Sequence, residues 1–320
     1  SIWIKMVKKI KIFNNFEITK NFKNSLILIG NFDGLHSGHQ KLFNEAKKYK
    51  KKFKIKIGVI TFDPIPKMFF NKEIKNYRIS NFNQKVSYLN KFGVDFLINK
   101  NFNKKFSKIR SVDFIKKIIF KKLNAKYIFV SNNFRFGYRR EGDVNLLKNY
   151  QSIFGYKLIK PAPLKKNKKI ISSTYIRKLL EDGNLNEANK YLTRNWTIEG
   201  VVEKGRMMGK KIGFPTCNIN IGNYVIAKPG VYAVRTLLNK NKKTYKGIAN
   251  LGYRPTFKQK KILLEVNLFN FSGNLYNKKL SVEFIRFLRG EKKFNGIAQL
   301  RNQIKRDILK AKNIKWASNT

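Results

Sequence analysis

The chain has 320 residues, 42% of them hydrophobic and 27 of them Phe, which excludes a disordered chain and leaves room for one large or two ordinary domains. Its 70 Lys and Arg against 18 Asp and Glu give a net charge of +52, yet the bases are mostly Lys, spread along the whole length beside the same excess of Asn, Ile and Phe. All four are encoded by A/T-rich codons, so the charge implies a salt-sensitive background affinity for polyanions and no specific nucleic-acid partner.

In chain order, Ser1-Ile-Trp-Ile-Lys-Met6 lacks the apolar core and cleavage site of a secretion signal, and Met6 is a candidate start. No later apolar run approaches the roughly 20 residues of a membrane span, so no membrane partner is expected. The single Cys217 cannot form an internal disulfide, which suits a reducing cytoplasm. Residues 26–29 read as a buried strand and 40–50 as a helix. Between them lies Gly30-Asn-Phe-Asp-Gly-Leu-His36-Ser-Gly-His39, which holds both histidines of the chain. A strand, a Gly-rich turn and a helix N-terminus form a phosphate cradle, because free N–H groups and the positive helix end face the ligand. Histidines there can bind phosphate oxygens and stabilise charge that develops during transfer. A zinc site is the rival reading of His-x-x-His, but no third His and only one Cys exist to complete the shell.

Strands over 55–62, 96–98 and 127–130 and helices over 84–92 and 112–123 continue the alternation. This predicts a doubly wound, Rossmann-like α/β sheet with ligands beyond the carboxyl ends of its strands. Three polar clusters fall at those ends: the 30–39 loop, Thr61-Phe-Asp63-Pro, and Ser131-Asn-Asn133-Phe-Arg-Phe-Gly137. In Ile171-Ser-Ser-Thr-Tyr-Ile-Arg177, Ser172 or Ser173 caps a helix running to about 181. A short helix over 185–191 follows. After residue 195 the texture changes to short, often alternating segments at 196–202, 230–238, 244–250, 262–271 and 279–288, separated by Gly, Pro or Asn. They predict a small antiparallel β-barrel. A terminal helix over 297–312 carries Leu300, Ile304, Ile308 and Leu309 at helical spacing. Neither an internal repeat nor a low-complexity linker is present.

The first-half motifs resemble, in order, the adenylyltransferase half of the bacterial bifunctional riboflavin kinase/FAD synthetase family. The second half resembles its kinase module through Ile212-Gly-Phe-Pro-Thr216-Cys-Asn218-Ile, Gly230-Val-Tyr-Ala-Val, Gly247-Ile-Ala-Asn-Leu-Gly-Tyr-Arg-Pro-Thr-Phe257, Leu264-Glu265-Val and Arg289-Gly-Glu291-Lys-Lys-Phe294. The resemblance implies an FMN adenylyltransferase domain over 1–190 and a riboflavin kinase domain over 191–320. The substrates would be riboflavin, FMN and ATP, with Mg²⁺ as the cation. In the first site Gly30, Phe32, Asp33, Gly34, His36, Gly38 and His39 would form the ATP loop, with both histidines catalytic. Ser172, Ser173, Thr174 and Arg177 would hold the β and γ phosphates, and Asp63 and Asn133 would meet the flavin. In the second, Glu265 would be the general base, a role that fits a carboxylate between apolar neighbours in a chain poor in acids. An outward-facing Glu on a half-exposed strand is the plainer reading of that position. Thr216 and Asn218 would position Mg²⁺ and ATP, Gly205 and Gly209 would close a loop over the nucleotide, and Arg289 and Glu291 would shape the flavin pocket.

Four positions depart from the family pattern. Ile65 replaces the usual His, removing an imidazole from a nucleotide or phosphate contact; Ser131 and Asn277 replace Gly, and Cys217 replaces Ala. Two rival readings remain: a nucleotidyltransferase for another phosphate-bearing substrate with a C-terminal binding module, and a basic nucleic-acid-binding protein.

Overall fold

The computed structural model describes residues 9–204, 213–238, 243–255 and 260–316. They form two compact units. The first comprises residues 1–75 and 82–173, and the second residues 76–81 and 174–320.

In the first unit, six parallel strands take the order β1-β4-β3-β2-β5-β6: β1 (Lys11–Phe13), β2 (Leu26–Ile29), β3 (Ile57–Asp63), β4 (Phe96–Asn101), β5 (Tyr127–Phe129) and β6 (Lys157–Ile159). The apolar β2 is central, and both of its faces are covered. Leu26 and Leu28 pack into one buried cluster with Leu42, Phe43 and Ala46 of helix α1 (Ser37–Phe53). Ile27 and Ile29 pack into the other, with Ile115 and Ile119. Two-sided burial is why the strand reads as a continuous apolar run instead of an alternating one. The chain steps from β2 through β3 to β4 on one side, then returns to build β5 and β6 on the other. The order therefore reverses between β2 and β5, and their carboxyl ends border the crevice where such sheets bind ligands. Helix α2 (Phe82–Lys91) precedes β4. The helix expected over 112–123 begins as α (Ser111–Asp113) and continues π-wound over Phe114–Lys122. Helix α3 (Val144–Phe154) and strand β6 were not anticipated from the sequence.

The second unit is a closed antiparallel barrel in the order β7-β8-β11-β10-β9-β12. Its strands are β7 (Thr197–Glu203), β8 (Cys217–Ile219), β9 (Gly230–Leu238), β10 (Lys243–Pro255), β11 (Lys260–Leu268) and β12 (Lys279–Gly290). Trp196, Tyr232 and Phe284 fill its interior, with Trp196 and Phe284 ring centroids 4.7 Å apart. Helices α4 (Ser173–Glu181) and α5 (Leu185–Leu192) precede the barrel, and α6 (Ile297–Lys312) follows it. The segment 76–81 belongs here because its backbone is used by the barrel unit. Asn223 O accepts from the N–H groups of Tyr77 and Arg78, and Ile79 O accepts from Trp196 Nε1 at 3.0 Å.

Of the apolar residues read at helical spacing on α6, Leu300, Ile304 and Ile308 are partly buried and only Leu309 is exposed. The buried residues of the helix are Gln303, Asp307 and Ala311. The helix turns a polar side chain inward because Arg289 of β12 meets it there.

Trp196→Phe keeps an aromatic ring in the barrel but removes the hydrogen bond to Ile79 O. The expected loss is about 1 kcal/mol, read as a lower urea midpoint for the barrel unit. An unchanged midpoint would remove this bond from the list of barrel supports.

Candidate active sites

The 30–39 loop leaves the carboxyl end of β2 in a strained conformation. Phe32 and Leu35, both bulky, adopt φ of +46° and +37°, a region that L side chains rarely occupy. Packing and hydrogen bonds hold it. The Phe32 ring is buried against Phe43 and edge-on to His39, and Gln40 Nε2 donates to Leu35 O at 2.9 Å. Beneath the loop, the fully buried Lys85 of α2 donates to Asn31 O at 2.7 Å and to Thr61 Oγ1 at 3.2 Å. Thr61 Oγ1 donates in turn to Asn31 O, so the ends of β2 and β3 are tied together. Sequence reasoning missed Lys85, and nothing distinguishes it from the other lysines of the chain.

The loop delivers the two imidazoles as a stacked pair, 3.7 Å between centroids, with His36 buried and His39 partly exposed. Gly38, in the first turn of α1, is what allows this. A Cβ there would stand 2.7 Å from Ile171 O and 3.1 Å from the His36 ring. Asp33 is buried, and its carbonyl accepts from Ser173 Oγ at 2.9 Å. Gly30 and Gly34 bracket the turn, Gly34 at φ +80°.

At the neighbouring strand ends, Asp63 closes β3, and exposed Asn133 follows β5 with its Oδ1 accepting from Ser131 Oγ at 3.0 Å. Ile65 is buried, so the residue standing in for the family's His serves packing. Asn277 adopts φ +59°, the left-handed turn expected of a Gly replacement. Ser172 is half-buried and Thr174 exposed. Arg177 is buried, its guanidinium 3.6 Å from the Tyr77 ring and its Nε donating to Tyr77 O at 2.7 Å. Gly205 and Gly209 lie outside the described residues.

In the barrel, cross-strand register assembles the second cluster. Glu265 on β11 stands opposite Asn218 of β8 and Asn250 of β10. Leu264 and Val266 are fully buried, and alternation turns Glu265 to the other strand face. That face borders a cavity of about 630 Å³ lined by Glu265, Asn250, Asn267, Ile248 and Arg289, with Ile304 and Asp307 of α6. Such a volume suits one small organic ligand. A second cavity, of about 490 Å³, is lined by Cys217, Asn218 and Val266 and by the 271–276 turn. Thr216 lines both. Asn218 is buried, and its Oδ1 has no hydrogen-bond partner among the described residues. A buried oxygen beside an exposed Thr hydroxyl is the donor chemistry a hard divalent cation takes. Glu291 Oε1 lies against Gly252, 2.5 Å from where a Cβ would stand. Burial pushes the Cys217 thiol up to about 11.

A stacked histidine pair at the switch point of a parallel sheet and a carboxylate on the wall of one of two adjoining barrel cavities define a two-domain enzyme that handles nucleotide phosphates. The FAD synthetase family matches residues 18–175 and the riboflavin kinase family residues 192–315. The bifunctional riboflavin kinase/FMN adenylyltransferase of Buchnera aphidicola (subspecies Acyrthosiphon pisum) is 39% identical over 288 residues, 89% of this chain and 92% of that one. The Escherichia coli K12 protein of the same description is 33% identical, covering 90% and 91%. The chain belongs to the bifunctional riboflavin kinase/FMN adenylyltransferase family. A crystal structure from Streptococcus pneumoniae, described as a macrolide-efflux protein, superposes with a TM-score of 0.83 at 30% identity, covering 97% of this chain and all of that one. No helix among the described residues here is long and apolar enough to cross a membrane.

Two outcomes follow. Gly38→Ala should abolish FAD formation from supplied FMN while FMN formation from riboflavin continues, both followed by chromatography. Cys217 should resist thiol reagents at pH 8 in the folded protein and react once denatured, because a thiol titrating near pH 11 holds almost no thiolate at pH 8. Rapid labelling of the native protein would overturn the raised thiol.

Proposed function

We propose that the barrel unit phosphorylates riboflavin with ATP and that the parallel-sheet unit adenylylates the resulting FMN with a second ATP, releasing pyrophosphate. The observation that carries the reading is the pair of cavities meeting at Thr216, with Glu265 on the wall of one and Asn218 on the wall of the other. A flavin in the 630 Å³ cavity and a nucleotide in the 490 Å³ cavity would meet at that residue.

In the kinase reaction the ribityl 5′-hydroxyl is a poor nucleophile. Glu265 accepts its proton as the oxygen attacks the γ-phosphorus, and ADP leaves. Thr216 Oγ1 and Asn218 Oδ1 would hold Mg²⁺, which when bound neutralises charge on the ATP phosphates. Glu291 is the candidate for contact on the flavin side of the site, and Arg289 shapes the wall of the same cavity. In the adenylyl transfer the FMN phosphate is already ionised and needs no strong base. It attacks the α-phosphorus directly, and His36 and His39 stabilise the charge on the departing pyrophosphate. Asp63 and Asn133, at the neighbouring strand ends, are the candidates for flavin contact. An ATP-consuming enzyme with a single, partly buried thiol suits the cytoplasm.

Glu265→Gln should abolish FMN formation, a loss of at least about a hundredfold, and leave FMN-to-FAD conversion intact. The pair His36→Ala with His39→Ala should do the reverse, so that FMN accumulates. Product chromatography from riboflavin, ATP and Mg²⁺ reads both. Loss of both activities in either folded variant would break the two-site assignment, and full kinase activity after metal chelation would remove Mg²⁺ from it.

A further inference from the structure

The terminal helix contributes a charged group that the chemistry above leaves unused. Asp307 is 1% exposed. It accepts from Arg289 Nε at 3.1 and 3.0 Å through its two oxygens, and from Arg289 Nη2 at 2.8 Å. Gln303 Nε2, one turn earlier on α6, donates to Asp307 Oδ1 at 3.0 Å, and Arg289 Nη1 donates to Gly290 O at 2.9 Å. The guanidinium is therefore directed at the helix and at its own strand. Both partners line the 630 Å³ cavity, and α6 supplies part of its wall through Leu300 and Ile304. Beneath the helix the buried apolar seam is Val231, Ala233, Ile248 and Ala311, with Phe269, Leu288, Ile304, Ile308, Ile314 and Trp316 partly buried against it. Ala311 is the one apolar residue of α6 that is fully buried there, so the buried Asp307, one turn earlier, gives the helix a second fixed point on the barrel.

We propose that Asp307 is a positioning residue for riboflavin phosphorylation. By clamping Arg289 it fixes α6 as the wall against which the flavin ring lies, and Arg289 acts through this clamp instead of by binding substrate with its charge. The proposal rests on the kinase reading of the barrel. Removing one partner of a buried ion pair leaves the other charge uncompensated, whereas replacing both by apolar groups of similar volume is tolerated far better.

The test compares wild type, Asp307→Asn, and the double change Arg289→Met with Asp307→Leu, all as the full chain. Steady-state riboflavin phosphorylation is measured on each, with adenylylation of supplied FMN as the check on the other unit. Asp307→Asn should raise the KM for riboflavin about tenfold while kcat changes by less than about threefold, as expected for lost ground-state binding. The double variant should return KM to within about threefold of wild type, since apolar contact can re-seat the helix. Adenylylation should be unchanged throughout. If Asp307→Asn lowers kcat and leaves KM alone, or if the double variant stays as weak as the single one, the proposal fails. The second result would instead give the Arg289 charge a direct part in binding. If the wild-type chain makes no FMN at all, the kinase reading itself fails, a result distinguishable from both.

Discussion

Burial of β2 on both faces is the constraint from which the first site follows. A strand with no solvent-facing side carries no polar side chains along its length, so every polar group it delivers to a ligand must come after its last residue. The chain leaves Ile29 with Gly30, enters left-handed backbone at Phe32 and Leu35, and re-enters regular structure at Ser37. The strain is held by what surrounds it. Phe32 is locked into the apolar layer under α1, and the Asn31 carbonyl is gripped by Lys85 and Thr61. The two imidazoles are thus presented by a loop whose geometry is set from behind, as transition-state stabilisation without reorganisation requires.

The barrel answers the same problem differently. Its strands alternate, so polar groups can project from mid-strand, and register chooses which of them meet. Asn218, Glu265 and Asn250 lie side by side on three adjacent strands. A shift of one residue in β11 would turn Glu265 to the face now held by Leu264 and Val266 and dissolve the cluster. Closure of the barrel removes any free edge along which such a slip could occur.

Elements driven by strong periodicity were legible in the sequence: 26–29, 230–238 and 297–312 fall where the pattern put them. Ends were less so. Helix α1 starts at Ser37, before any good helix former, because the loop fixes its entry. Four elements were hidden for distinct reasons. Strands β1 and β8 have three residues each, β6 opens on a lysine, and α3 follows a stretch that reads as loop. Among site residues, the histidines and Glu265 stood out because such residues are rare in this chain. Lys85 and Asp307 did not. One is a lysine among many, and the other sits within a helix where an acid ordinarily signals a solvated face. What makes each of them matter is a partner far away in sequence, and local pattern carries no trace of that.

The residue shared by the two cavities has a consequence for how they can be altered. Among the described lining residues, Thr216 alone borders both. A change of its side chain therefore reshapes two walls at once, whereas a change at Cys217 or at Ile248 reshapes one. Everywhere else the two volumes can be varied independently.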